Sequence, residues 1–413
     1  MQQRGGTITP SLTRDGGRST YPITVRRLLV SLVPAIAVIL FCIQISYLVI
    51  FNDDKLQSKP SPGPCITFLG DIMLSNLARD VTSNYLAHPR DAFRYVRPLL
   101  AHGACGTDED TRHIVANLEG PITRLGLTHV DPSRAQQLTP ENSYNMNPDV
   151  VPNLLVDEGI NHLGRANNHL NDRGLEGIMD TSRALEKAGI SHFGVGQTNE
   201  EALAPLILNL HATRGRRGIP IKVGITAFSE LYDSGDIPGG REGNQTGVLP
   251  VTSESVRLAC KLLDDQEVGL RIAYIHWGLS YRPVSMQMRE QAAILVEEGA
   301  FDMIIGNGGS HLVGTFEFIG KVPVLYNIGN FVVQTRGKYK KKKDIMPYGL
   351  AVHVSVTKSQ RIGSLELHCV HVDNSVTSYQ PKICTADQAE DLFSSMGPFV
   401  EYQQNETKAI VML

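Results

Sequence analysis

The chain has 413 residues, too many for a lone mini-domain, and its 42% hydrophobic and 20% charged composition excludes a disordered, collagen-like or disulfide-scaffold protein. Lys and Arg number 39 against 42 Asp and Glu, a formal net charge of -3 that is too balanced to point to nucleic acid as a partner.

From Leu28 to Phe51 the chain carries no charge, LLVSLVPAIAVILFCIQISYLVIF. At about 1.5 Å per residue such a stretch crosses a hydrocarbon core of about 30 Å. A core helix of this length would show a polar stripe, so a single transmembrane helix over 28–51 is expected. Arg4, Arg14, Arg18, Arg26 and Arg27 precede it with one acid, Asp15, while Asp53, Asp54 and Lys55 follow. This bias keeps residues 1–27 in the cytosol and the bulk of the chain extracytoplasmic. The stretch is longer than a signal-peptide core of about 7 to 15 residues and no small-x-small site follows it, so an uncleaved signal anchor is expected. Residues 52–64, ending QSKPSPGP, read as a short stiff linker. Cys42 lies in the span. Cys65, Cys105, Cys260, Cys369 and Cys384 are scattered without a CxxC pair, which allows at most two disulfides and excludes a zinc ribbon. The sequons at Asn244 and Asn405 matter only in a host that glycosylates them.

Beyond the linker, apolar runs end repeatedly on polar residues. Cys65 to Leu69 stops at Gly70-Asp71, His113 to Leu118 at Glu119, and Asn161 to Ala166 at Asn167-Asn168-His169. Ile221 to Phe228 stops at Ser229-Glu230, Arg271 to Ile275 at His276-Trp277-Gly278, and Phe301 to Ile305 at Gly306-Asn307. These read as buried strands. Helical spacing of apolar residues predicts helices over Gly174 to Lys187 and Ser285 to Glu298, the latter closed by Gly299. Alternating strands and helices with polar strand ends describe an α/β layered fold with its ligand site at one sheet edge. The last third, with strand patterns over Val322 to Val333, Gly349 to Thr357 and Ile362 to Val372, predicts an antiparallel section or second sheet. The main domain is expected over 65–385, with 386–413 as a C-terminal extension. The run KYKKKK, Lys338 to Lys343, reads most simply as a solvated loop, the alternative being contact with an anionic polymer or lipid.

Asp71, Asn117, Glu119, Asn167, Asn168, His169, Asp172, His276, Asn307 and His311 cluster around these strand ends. Alone, each is more often a cap, a turn residue or a satisfied histidine. Together they offer carboxylate and amide oxygens with imidazole nitrogens and no thiolate, a set suited to divalent Mn, Zn or Fe.

The segments FLGDIML, VANLEGPIT, ANNHLNDRGLEGIMDTSRALEKAGISHFGVG, IHWG and IIGN through GKVPVLYNIGNFV resemble, in the same order, the motifs of the bacterial capsule synthesis protein CapA family. That family includes the membrane-anchored component of poly-γ-glutamate synthesis and is related to the calcineurin-like metallophosphatases. The resemblance covers residues 65–333 and implies a four-layered α/β/β/α sandwich of metallophosphatase type behind the transmembrane helix. It implies metal ligation by Asp71, Glu119, Asn168, His276 and His311. It also implies proton transfer by His169, with Asp172 orienting the loop, and substrate contact by Asn117, Asn167, Trp277 and Asn307. Trp277 has an equal reading as a side chain packing the sheet edge. Three positions depart from the pattern. Met73 replaces the histidine of the metallophosphatase Asp-x-His, the last motif is stretched to Gly306-Asn307-Gly308-Gly309-Ser310-His311, and Ser280 stands where the family often has an acid.

Two functions follow. The resemblance implies an extracytoplasmic component of capsule or poly-γ-glutamate-type polymer synthesis or export. Its partners would be the anionic polymer or its precursor and the membrane synthetase or export subunits. The residue set alone equally suits a metal-dependent hydrolase of phosphate esters or of the polymer's amide bonds. A host without that polymer would use the fold in another surface role.

Overall fold

The computed structural model describes residues 64–74, 89–101, 112–126, 144–211, 220–230, 247–333, 339, 345–402 and 406–413. The expected span 28–51, both sequons and the lysines of the basic run lie outside the described residues. No helix among the described residues is long and apolar enough to cross a membrane. The compact unit described below begins at Pro62 and runs to Leu413.

In chain order, β1 (Cys65–Met73) leads through a short 3-10 turn (Pro89–Phe93) to α1 (Arg97–Ala101), β2 (His113–Leu118) and α2 (Val151–Asp157). β3 (His162–Gly164), α3 (Gly174–Lys187), β4 (Ser191–Phe193), α4 (Asn199–Leu203), β5 (Leu206–Leu210) and β6 (Ile221–Ser229) follow. Then come α5 (Ser253–Asp265), β7 (Leu270–His276), α6 (Met286–Glu297), β8 (Met303–Asn307), β9 (Phe316–Ile319), β10 (Val322–Leu325) and β11 (Asn330–Val333). The chain closes with β12 (Tyr348–Val356), β13 (Ile362–His371), α7 (Asn374–Thr377), β14 (Lys382–Ile383), α8 (Ala386–Ser395), β15 (Glu401–Tyr402) and β16 (Lys408–Met412).

The strands form two sheets. One has the order β15-β16-β13-β12-β1-β2-β3-β4, with β11 also paired to β1 and β14 to β13; the other runs β5-β6-β7-β8-β10-β9. Side-chain alternation sorts the strand residues into three cores. Phe68 and Val115 of the larger sheet meet Ile225, Ile272 and Tyr274 of the smaller one in the core between the sheets. Ile114 and Ala116 turn outward against Leu154, Leu155 and Leu185 of α2 and α3. Ala273, Ile275 and Ile304 turn the other way against Val256, Ala259 and Leu263 of α5 and Ala292 and Leu295 of α6. The layers are therefore helix, sheet, sheet and helix. Each fully buried Leu, Ile or Val across these seams contributes about 1.5–3 kcal/mol.

Local signals fix the helix ends. Thr252 and Ser255 form a capping box at the start of α5, and the Ser285 side chain accepts from Met288 N at the start of α6. Two expectations change. The run Val322 to Val333 is not one strand: β10 belongs to the smaller sheet and β11 crosses to pair with β1 in the larger. Residues 386–413, expected as an extension, add α8 to the central core and β16 to the larger sheet beside β13.

Candidate metal centre

Register places the polar strand ends in one row between the sheets. In the larger sheet Asp71 of β1 pairs with Asn117 of β2, and in the smaller His276 of β7 pairs with Asn307 of β8. Asn117 shares strand parity with Val115, His276 with Tyr274, and Asn307 with Ile305, all residues of the central core. The row is knitted together. Asn117 Nδ2 donates to Asp71 Oδ1 at 2.7 Å and lies 3.3 Å from His276 Nδ1, which is 3.1 Å from Asn307 Oδ1. On the other side of the ring, His276 Nε2 accepts from Gly309 N at 3.1 Å and lies 2.9 Å from Asn168 Oδ1. Burial lowers the His276 pKa to about 3, the Asn307 hydrogen bond opposing that shift.

Beside this row, Asp71, Glu119 and His311 each present a ligand atom, all within 4.8 Å of one another. Asp71 and Glu119 are 0% and 1% exposed. Asp71 Oδ2 has no hydrogen-bond partner, and burial followed by the Glu119 charge pushes the Asp71 pKa well above its ordinary value. Two buried carboxylates at this spacing repel each other and carry a desolvation cost, both of which a divalent cation offsets. Two carboxylates and an imidazole fit such an ion, and the set contains no soft ligand. Gly308 makes the approach feasible. Its φ is +53°, and a Cβ there would sit 1.9 Å from His276 Cε1 and 2.8 Å from Asp71 Oδ1. His311 itself takes a left-handed conformation, φ 60°.

His169 lies at the edge of the cluster. Its Nδ1 is 2.8 Å from Asp172 Oδ2, which also accepts from Tyr144 N at 2.7 Å, so Nδ1 carries the proton and donates it to the carboxylate. Nε2 is then the unprotonated nitrogen, 4.0 Å from Glu119 Oε1. The Tyr144 ring packs against the imidazole at a 4.0 Å centroid distance. This arrangement can accept and return a proton next to the carboxylates.

The expected residues thus divide. Asp71, Glu119 and His311 converge, and the His169–Asp172 pair adjoins them. His276 and Asn168 lie at the margin, with His276 Nε2 2.9 Å from Asn168 Oδ1 and His276 Nδ1 4.0 Å from Asp71 Oδ1. Asn117, Asn167 and Asn307, expected to touch substrate, are each 1% exposed and hold the framework. Asn167 Nδ2 donates to Asn117 Oδ1 and Leu118 O at 3.1 and 2.8 Å, while its Oδ1 accepts from His169 N. Trp277 is not a cleft wall. One residue beyond His276, it has the opposite parity, is 0% exposed in the outer core under α6, and donates from Nε1 to Tyr326 O. Reading the sequence missed Tyr144, Tyr281 and Tyr339. Tyr281 packs tilted against His311 at 5.1 Å and edge-on at 5.6 Å to Tyr339, whose phenol donates to His311 O at 2.9 Å. No periodicity marks these tyrosines, since all three lie outside regular strands and helices.

Comparison with known proteins identifies the family. The profile described as bacterial capsule synthesis protein PGA_cap matches residues 65–335, more than half of the chain, and the chain belongs to that family. The capsule biosynthesis protein CapA of Bacillus anthracis is 22% identical over 288 residues, 69% of this chain and 63% of that protein. The PGA biosynthesis protein CapA of Bacillus subtilis (strain 168) is 23% identical over 284 residues, 68% of this chain and 64% of that protein. The match spans less than two thirds of either relative's own length. Among solved structures, the calcineurin-like phosphoesterase YfkN from Bacillus subtilis aligns at 12% identity and a TM-score of 0.39, covering 78% of this chain and 89% of that one.

Proposed function

We propose that the chain is an extracytoplasmic component of capsule or poly-γ-glutamate-type polymer synthesis or export. On this reading residues 28–51 anchor it as a single-pass protein with a cytosolic N-terminus, and it works beside membrane synthetase or export subunits. The observation that carries the reading, with family membership, is the buried Asp71–Glu119–His311 cluster. A divalent Mn, Zn or Fe there supplies Lewis acidity toward a carboxylate-rich chain or its precursor. Two further features support it. Tyr339, which lies in the basic run KYKKKK, donates its phenol to the His311 carbonyl at 2.9 Å. The Cys369–Cys384 disulfide suits an oxidising compartment.

The His169–Asp172 pair favours a second, compatible reading, in which the site hydrolyses phosphate esters or γ-glutamyl amide bonds. There the His169 Nε2 atom moves the proton to or from the scissile bond while Asp172 holds the ring. One experiment tests both. A deletion strain is complemented with the full chain, with His169→Ala and with Asp71→Ala, and both surface polymer and its chain length are measured. Lost display with Asp71→Ala, together with altered chain length with His169→Ala, is expected. Normal surface polymer in the deletion strain would overturn the assignment to polymer synthesis.

A further inference from the structure

Asn330 opens β11 in parallel register with Asp71 of β1, so the two side chains leave neighbouring strands on the same face. It is 4% exposed. Its Nδ2 donates to Tyr339 Oη at 2.9 Å, and Tyr339 Oη donates its proton to the His311 carbonyl, also at 2.9 Å. A phenol that has committed its single proton offers only an acceptor, so it selects the NH2 end of the Asn330 amide. The carbonyl end is thereby turned away from Tyr339. Among the described residues Asn330 Oδ1 has no hydrogen-bond partner, and neither does Asp71 Oδ2 on the adjacent strand. Two buried acceptors at paired positions, neither with a donor among the described residues, suit an electropositive group between the two strands.

We propose that Asn330 Oδ1 is a further oxygen ligand of the cation held by Asp71, Glu119 and His311, and that Tyr339 is the positioning residue that fixes its amide. The inference rests on the metal-site reading above. An amide oxygen adds a hard donor without adding charge, which suits a site that already has two carboxylates. Tyr281, edge-on to Tyr339 and tilted against His311, holds the relay against the third ligand.

The test titrates Mn²⁺ into the full chain in detergent, by calorimetry and by electron paramagnetic resonance, for the unsubstituted protein and three variants. Asn330→Ala is expected to weaken Mn²⁺ binding about tenfold. Asn330→Asp keeps the shape and an oxygen and adds a charge that attracts the cation, so it binds at least as tightly, and circular dichroism of each variant excludes a folding defect. Tyr339→Phe releases the amide to turn its NH2 toward the carboxylates and weakens binding severalfold. Wild-type affinity in Asn330→Ala overturns this inference alone. Failure of the unsubstituted chain to bind either Mn²⁺ or Zn²⁺ overturns the metal-site reading and this inference with it.

Discussion

Asp71 is the residue at which stability and binding oppose each other. Its carboxylate is fully buried, one oxygen is held by Asn117, and the Glu119 charge lies close enough to raise its pKa. Replacing it with the neutral isostere Asn removes a like-charge pair while keeping the volume. In EDTA, Asp71→Asn is expected to raise the unfolding free energy by about 1–3 kcal/mol, because an uncompensated buried charge is lost. Divalent-cation affinity should fall at least tenfold. A lower melting point in EDTA would show that the carboxylate's bond to Asn117 outweighs its repulsion from Glu119. The linkage sign follows from the raised pKa: the folded state binds the Asp71 proton more readily than the unfolded chain. The metal-free fold therefore gains from this group as pH falls, while the cation loses a ligand. The residue types of this cluster were legible in the sequence because strand-end acids and histidines are uncommon in apolar runs. The division between ligand and framework was not. His276 and Asn168 have ligand chemistry, yet which atoms they face is set by Gly308, Gly309 and Asn307, whose backbone placement no spacing rule gives.

At the level of elements, fully buried strands announced themselves as apolar runs, and α3 emerged with the bounds its helical spacing implied. Trp277 was ambiguous in sequence because its role depends on strand parity, which becomes readable only once His276 is known to face the other sheet. The run Val322 to Val333 misled for a related reason, since an unbroken apolar pattern cannot show that the chain changes sheets at Tyr326 to Gly329. The Cys369–Cys384 pairing was equally hidden among scattered cysteines. It joins β13 to the residue after β14 across a sequence separation of 15, with Cα atoms 5.4 Å apart. Closing a loop of that length restricts the unfolded chain by about 3 kcal/mol. Cys384→Ser is expected to lower the urea midpoint correspondingly, and dithiothreitol to lower that of the unsubstituted protein at least as far, since Cys65 is disulfide-bonded as well. A midpoint indifferent to both treatments would mean that β14 and α8 hold this edge by packing alone.

Across the whole molecule, two histidines remote from the Asp71–Glu119–His311 cluster contribute to the response to acid. His162 of β3 lies 3.1 Å from His113, and burial, reinforced by that neighbour, lowers its pKa to about 3. His353 of β12 is lowered to about 4, first by burial and then by His368. Unfolded, both titrate near an ordinary pKa of about 6.5. Between that value and their folded pKa values the unfolded chain binds more protons, so stability is full above about pH 6.5 and declines as pH falls. From about pH 7 to about pH 5 each histidine is expected to remove about 2 kcal/mol, a large share of a typical total of roughly 5–15 kcal/mol. Carboxylates with raised pKa values, Asp71, Glu230 and Asp302, act in the opposite sense, so the informative quantity is a difference between two proteins. Urea unfolding of the unsubstituted chain and of His162→Gln at both pH values isolates one histidine, because every other group contributes to both. The unsubstituted chain should lose about 2 kcal/mol more than the variant. Equal losses would mean that His162 is protonated in the folded state after all, with its buried Nδ1 finding an acceptor that the present arrangement does not provide.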